Sequence, residues 1–600
     1  MKTFFLLFAL SFLYSLQAQV VPDSLTYDWF SAGFPGKIPN PENIVSVADF
    51  NIGENDPADW TKSFNRAVES LEGRLGVILF PPGVYTFQST ISLPDSCIIR
   101  GAGADSTRLV FDLGGMAGDC FFIGNLNQPA FDSVKVFCPR GTSLIPVSSF
   151  AKYPPGTYIE IRQTNGAWDV KPAAWAQYCM GQFARIAGTN DSALILDQPL
   201  RTDFFPGLYP EIRPITPRHY VGIECLSISR TDTPAVAPVY NIHFNYANRC
   251  WVKGVESSMS IGSHIMADAS SEIKISGSYF HESVAYDGAG THGYGVTLIQ
   301  HTNRVLVEDN IFRHLRHAMM VKQGANGNVF AYNYSTDPYR SESPHDLSGD
   351  ISLHGHFPYA NLFEGNIVSN MITDHFWGGA GPGNMFFRNR ATLYGISLIN
   401  LDGSQVATND QILVGNETTN FGTFMGNFLI GGNGHFLYGN HIRGVVQPAG
   451  TEELNDTSYY QTLFLGKTPL IGLPGTPGEG TNAAAQRFLS GEYLTVCNTD
   501  TVRTTTAMDP EPVGDFVLEN VFPNPFSGSI DLEIRSATTS QLRIRLSSIS
   551  GKTIKEKVLM ITPGKHQIRV DIDPGLPGGI YALEVIFGEQ RFVRKLVNHL

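Results

Sequence analysis

One short pattern recurs through the middle of this 600-residue chain: apolar, any, apolar, any, any, Asn. It reads Val305-Leu306-Val307-Glu308-Asp309-Asn310, and its end returns as Phe330-Ala331-Tyr332-Asn333, Leu362-Phe363-Glu364-Gly365-Asn366 and Met385-Phe386-Phe387-Arg388-Asn389. Ile412-Leu413-Val414-Gly415-Asn416 and Phe436-Leu437-Tyr438-Gly439-Asn440 follow. The Asn residues are 23, 33, 23, 27 and 24 positions apart, and the earlier units at Val252 and Ile275 are also 23 apart. A period this short holds one coil of a solenoid and no helix pair. The β-branched and aromatic content makes each coil about three short strands, so the pattern predicts a parallel β-helix. Asn tolerates left-handed backbone, and its amide can stack from coil to coil, so these Asn residues are structural. Two long intervals, 278 to 310 and 333 to 366, carry about nine and ten extra residues. Insertions of this kind map to loops on one face, often the binding face.

Composition agrees. Charged residues are 16 % of the chain, against roughly 25 % in ordinary soluble domains, and there are 60 Gly. Many turns between short strands account for both. The 42 basic and 55 acidic residues give a net charge of −13, which excludes a general nucleic-acid binder.

Lys2, the apolar run Phe4 to Leu16 and Leu16-Gln17-Ala18 read as a cleaved export signal over residues 1–18. That run falls short of the ~20 residues a membrane span needs. The seven Cys include no C-x-x-C pair, so no zinc site is expected; the odd number leaves at least one unpaired. Residues 499–514 are rich in Thr, Pro and Asp and read as a linker. Beyond it Ile530–Ile534, Leu542–Leu546, Ile568–Ile572 and Tyr581–Val585 alternate with period two, predicting a small antiparallel sandwich over 515–600.

The residues Val521-Phe522-Pro523-Asn524-Pro525-Phe526, Ser550-Gly551-Lys552, Leu576-Pro577-Gly578-Gly579-Ile580-Tyr581 and Arg594-Lys595-Leu596-Val597 make this tail resemble the C-terminal sorting domain of the type IX secretion system of Bacteroidetes. The resemblance implies contact with that machinery, then release or surface attachment. At the other end, Val47-Ala48-Asp49-Phe50 precedes an amphipathic stretch, Asp59 to Leu71, with Asp59 as its N-cap. Val77-Ile78-Leu79-Phe80-Pro81-Pro82-Gly83-Val84-Tyr85 and Ile98-Ile99-Arg100-Gly101-Ala102-Gly103 follow. This block resembles the pectate-lyase superfamily of the rhamnogalacturonase/epimerase-like kind, where the helix caps a right-handed β-helix. The expected organisation is all-β: an N-terminal segment 19–43, a capped right-handed parallel β-helix over 44–498, the linker, and the sandwich.

More than half of the sixteen His residues fall between 281 and 375, together with Arg, Asp and aromatic side chains. His titrates near neutrality and serves as acid, base or ligand. Asp350-Ile351-Ser352-Leu353-His354-Gly355-His356 alternates strictly, which points Asp350, Ser352, His354 and His356 outward. The candidate catalytic set is Lys322, His354, His356, Asp350, His292 and Arg340. His317, Arg316, Tyr294, Asp374, His375, Trp377 and Arg388 are candidates for substrate binding, with Tyr294, Tyr339 and Trp377 suited to stacking on sugars.

Met319-Met320-Val321-Lys322-Gln323-Gly324, followed one coil later by His354-Gly355, resembles the chondroitinase-B and alginate-lyase group of β-helix lyases. The resemblance implies Lys322 as base at C5 of a uronate, an assisting Arg, and calcium on the carboxylate. The Arg position is Leu353 here, so Arg340 or Arg388 would have to substitute. The expected activity is β-elimination in an extracellular uronate-containing polysaccharide, by an exported monomer without a transmembrane segment. An inverting hydrolase using carboxylates such as Asp350 and Asp374, or a non-catalytic glycan-binding solenoid, are the alternatives.

Overall fold

The computed structural model describes residues 20–51, 59–233, 239–399, 408–460, 480–491, 494–497, 516–548, 553–573, 575–577, 579–588 and 590–598. The expected export signal and linker lie outside them. The chain divides into two compact units, 1–462 with 467–498, and 463–466 with 499–600.

The first unit is a parallel β-helix. Twelve strands from Ile44–Ser46 to Phe436–Tyr438 form one ladder, and a 20-stranded sheet carries the other two. Those two merge because Ile367–Thr373 and Arg390–Leu398 are long enough to run through both. The repeat sets the register: Ile275, Val307, Phe330, Phe363, Phe386 and Leu413 are successive partners. Their rings stack inside, Phe330 on Phe363 at 5.1 Å and Phe363 on Phe386 at 5.2 Å between centroids. Helix Thr61–Ser70 closes the N-terminal end, burying Phe64 and Ala67 against Phe80 and Phe87. The N-cap position falls on Trp60, not on the expected Asp59, which from one residue earlier accepts from the Thr61 N–H at 3.0 Å.

The recurrent Asn residues form a continuous buried file. The Nδ2 of Asn310, Asn333, Asn366, Asn389 and Asn416 each donates to the Oδ1 of the next, at 2.9–3.0 Å. Each also donates to a main-chain carbonyl of the preceding coil, as Asn366 does to Phe330 O at 2.9 Å. A second file, Asn328, Asn361, Asn384 and Gln411, repeats the arrangement at 2.9–3.0 Å.

Residues 132–215, which show no repeat, depart from the helix altogether. They form a six-stranded antiparallel sheet, with its own core of Val134, Ile145, Tyr153, Ile161, Leu194 and Phe204. This subdomain is pinned to the coils: Asn326 Nδ2 and Tyr359 Oη both donate to Gly181 O at 3.0 Å, and buried His301 meets buried Glu160 at 2.9 Å. A disulfide, Cys225–Cys497, ties the end of the unit to its early coils, and the other five Cys are buried and free.

The second unit is a seven-stranded β structure around Ile530, Leu532, Ile544, Leu583 and Val585. Its pairings are antiparallel except Phe526 with Asn598.

Asn366→Ala would strand the donors of Asn333 inside the wall. A buried unmatched amide costs about 1–3 kcal/mol per group, so the thermal midpoint of the β-helix transition should drop by several degrees, measured by circular dichroism on the full chain.

Candidate functional site

The site grows from one row of the ladder. Lys322 N bonds to Leu298 O, His354 N to Val321 O and Asp374 N to Leu353 O, so the three residues follow strand ends on successive coils. Core residues Val321 and Leu353 point inward, which turns Lys322 and His354 outward. The two insertions, 284–293 and 337–350, stack at the same corner of the coil: Gly288 N donates to Glu342 at 2.7 Å and Tyr286 meets Tyr339 at 5.0 Å. At the opposite end of the row stands loop 164–180 of the inserted subdomain.

Beside the insertion 337–350 lies a pocket of about 190 Å³, lined among others by Arg316, His317, Arg340, Thr373, Asp374 and Phe376. The His354 Nδ1–H donates to Asp374 Oδ2 in a short bond. Burial opposes the Asp374 charge, but His354 and the Phe376 N–H outweigh it and hold the carboxyl well below the usual range. His317 donates from Nδ1 to Gly349 O at 2.9 Å. Burial, then Arg316 and the neighbouring His354, push its pKa well below the ordinary value. The His317 and His354 rings stand 5.8 Å apart. Arg316 is steadied by the buried Tyr294 hydroxyl at 3.1 Å. Lys322 is half-buried, with Nζ 5.6 Å from the Trp175 ring. Desolvation brings its pKa down to about 8 against the pull of Asp268 and Asp374.

The sequence candidates therefore divide. Arg316, His317, Arg340 and Asp374 line the pocket, His354 joins them through Asp374, and Lys322 stands beside Trp175 within electrostatic reach of Asp374. Tyr294 is buried, so it positions Arg316 and offers no stacking face. Asp350 points outward, as its alternation requires, but is covered: it is 2 % exposed and accepts from Ser335 Oγ and Asn370 N. Burial raises its pKa to about 6 without giving it access. The strand ends at Leu353, so the alternation does not carry to His356. His356 is 1 % exposed, boxed between Trp175 at 4.9 Å and Trp377 at 5.8 Å. His375 reaches the pocket wall but its Nε2 meets Thr408 Oγ1 at 2.8 Å. His292 pairs with Asp287 at 3.0 Å on its insertion loop. Arg388 lies in the first ladder, buried, donating to Leu454 O and Asp456 O at 3.0 Å; it does not reach the pocket.

Calcium does not suit this donor set. Among the described residues no three His, Cys, Asp or Glu side chains converge as a metal group. Asp374 is engaged by His354 and surrounded by Arg316, Arg340 and His317.

Sequence reading missed loop 164–180 and its exposed Trp175. Asn165 staples the loop, donating to Asp169 and Ala176 O at 2.7 Å and accepting from Cys179 N at 3.0 Å. Gln323 Nε2 donates to Trp175 O at 3.1 Å. Gly324, at φ +67°, sits so close beneath that an added Cβ would lie 1.8 Å from Cys179 O.

Residues 520–599 match the family model of a secretion system C-terminal sorting domain. The tail is a sorting domain. It directs type IX export to the cell surface or the extracellular space. No curated protein matches the chain. Among solved structures, the tailspike gp49 from Pseudomonas phage LKA1 is similar at 13 % identity and a TM-score of 0.47, over 63 % of this chain and 64 % of that one. The chain thus spans less than two thirds of that tailspike's length. The gp54 tailspike of Acinetobacter baumannii bacteriophage AP22, solved with a capsular saccharide, gives 11 %, 0.33, 65 % and 69 %. The catalytic unit of the GH87 α-1,3-glucanase from Streptomyces thermodiastaticus gives 14 %, 0.33, 64 % and 57 %.

Gly324→Ala should lift loop 164–180 off the coils, because neither the positive φ nor the 1.8 Å approach accommodates a methyl group. Amide hydrogen exchange in residues 164–180 should accelerate by at least about tenfold, a local opening of ~1.4 kcal/mol, while the Asn-ladder strands stay protected.

Proposed function

We propose that this exported chain is a polysaccharide lyase that cleaves a uronate-containing glycan by β-elimination. The observation that carries the reading is the lining of the pocket: Arg316, Arg340 and His317 converge with one carboxylate, Asp374, which is already bonded to His354.

Elimination needs the uronate carboxylate neutralised, a base at C5, and a proton for the departing oxygen. The two guanidiniums supply the first, in the place that calcium takes in the lyases the sequence resembles. Lys322 supplies the second. Its pKa of about 8 leaves a useful fraction neutral near physiological pH. His354 supplies the third: Asp374 accepts from Nδ1–H and fixes the ring, so that Nε2 is the atom turned toward the leaving oxygen. The C5–H bond breaks toward Lys322, the C4=C5 double bond forms, and the C4–O bond breaks as oxygen takes the proton from His354. Neutral His317 keeps an Nε2 lone pair for a sugar hydroxyl. Hydrolysis would need two carboxylates facing the bond; Asp350, one candidate for the second, is sealed.

The full chain should generate new ultraviolet absorbance from at least one uronate polymer, without added calcium. Activity should rise as pH passes about 8, where the Lys322 amine loses its proton. Lys322→Ala should remove it, and Asp374→Asn should lower kcat by about 10²–10⁴-fold. New reducing ends without absorbance would overturn elimination in favour of hydrolysis. Silence in both assays with retained affinity would favour a glycan-binding solenoid.

A further inference from the structure

A second cavity opens beside the pocket. It is a cleft of about 550 Å³ in loop 164–180, lined by Asn165, Asp169, Pro172, Ala174, Gln177 and Tyr178 among others. Aromatic side chains join the two. Trp175, 48 % exposed, rises between the lining residues Ala174 and Gln177. Its ring meets Trp377 edge-on at 5.0 Å, and Trp377 meets Phe376 edge-on at 5.0 Å. Phe376, 57 % exposed, is itself a wall of the reaction pocket. An exposed run of rings between two polar cavities suits the apolar faces of consecutive sugar units. The loop that carries Trp175 is fixed by Asn165, by Gln323 and by the close seat on Gly324, so the surface is formed before any ligand arrives.

The two cavities differ in charge. The reaction pocket is lined by Arg316, Arg340, His317 and His375 with Asp374. Among the described residues lining the cleft, the charged side chain is Asp169. Its Oδ2 accepts from Asn165, and its buried Oδ1 stands 3.7 Å from His356 Nδ1. An acidic side chain at the wall of a cleft otherwise free of charged lining residues disfavours a second carboxylate there.

We infer that the cleft on loop 164–180 is a distal sugar subsite for a neutral unit, with Trp175 the positioning residue that links it to the acidic unit in the reaction pocket. The substrate is then a mixed polymer in which neutral sugars neighbour uronates, and a homopolyuronate binds poorly. This inference rests on the reading of the cationic pocket as a uronate site.

Affinity electrophoresis of the full chain tests it without requiring turnover. The gels contain rhamnogalacturonan or hyaluronan, whose uronates alternate with neutral sugars, or polygalacturonate or alginate, which are all uronate. At least one mixed polymer should retard the protein more than either homopolymer. Trp175→Ala should weaken that retardation by about tenfold, the scale of one lost aromatic contact, and Trp175→Phe should restore most of it. Asp169→Asn, which keeps the Asn165 contact, should raise affinity for the homopolymers. Where a polymer is turned over, Trp175→Ala should raise KM. Equal retardation by all four polymers, retardation by none, or indifference to Trp175→Ala at an unchanged thermal midpoint would overturn the subsite. Trp175-dependent retardation without new absorbance would leave the subsite standing and remove the lyase reading. Absorbance that ignores Trp175 would do the reverse.

Discussion

Coil-to-coil pairing of buried Asn amides is the interaction on which the rest of this molecule depends. A parallel β-helix has no turn chemistry that fixes one coil's height against the next; main-chain ladders alone tolerate slippage. Here each of two files places an amide donor 2.9–3.0 Å from an amide acceptor one coil on. A slip by one residue would leave those groups buried and unmatched at every coil, so register is specified many times over. The apolar interior follows from it, since Phe330, Phe363 and Phe386 stack only while the files hold them level. The last described member, Asn440, ends the file where strand Asn440–Ile442 turns back antiparallel onto Val445–Gln447.

That register also builds the pocket. Lys322, His354 and Asp374 come from three coils and meet because each follows a strand end at the same height. Neighbouring coils are ~4.7–4.9 Å apart, so side chains on adjacent coils reach hydrogen-bond contact without any loop closing over them. The insertions at 284–293 and 337–350 stack on each other for the same reason, one lying on the corner of the next coil but one. Positioning is therefore a property of the scaffold, and the groups that carry charge are held before substrate arrives.

The repeat made the coil, its corner insertions and the N-terminal cap legible in the sequence, because period and apolar alternation are local signals. The second Asn file was equally written there, as Asn328-Val329-Phe330, Asn361-Leu362-Phe363 and Asn384-Met385-Phe386, but was masked by the louder Asn at the other end of each strand. The site was legible as a cluster and less so as individual roles. His354 and His356 look equivalent in an alternating run, yet the strand ends at Leu353, ahead of both, and one bonds Asp374 while the other is boxed by Trp175 and Trp377. Arg388 carries a charge that suggests a surface, but carbonyls of Leu454 and Asp456 satisfy it inside. Trp175 had no signal at all: it belongs to an aperiodic antiparallel subdomain, and its place beside Lys322 arises from docking contacts such as Asn326 with Gly181.

The inserted subdomain changes what the solenoid can select. Coils alone present a flat face whose chemistry repeats with each coil, well suited to a repetitive ligand. Loop 164–180 breaks that translation by placing an acidic, ring-bordered cleft against one end of a cationic row. Opposite charge preferences side by side cannot both be satisfied by a uniformly charged polymer, because the gain at Arg316 and Arg340 would be offset at Asp169. A chain whose units alternate in charge satisfies both in one register and neither when shifted by one unit. Discrimination then comes from the misfit of the wrong register as much as from the fit of the right one, and it depends on the rigidity with which Gly324 and Asn165 hold the loop in place.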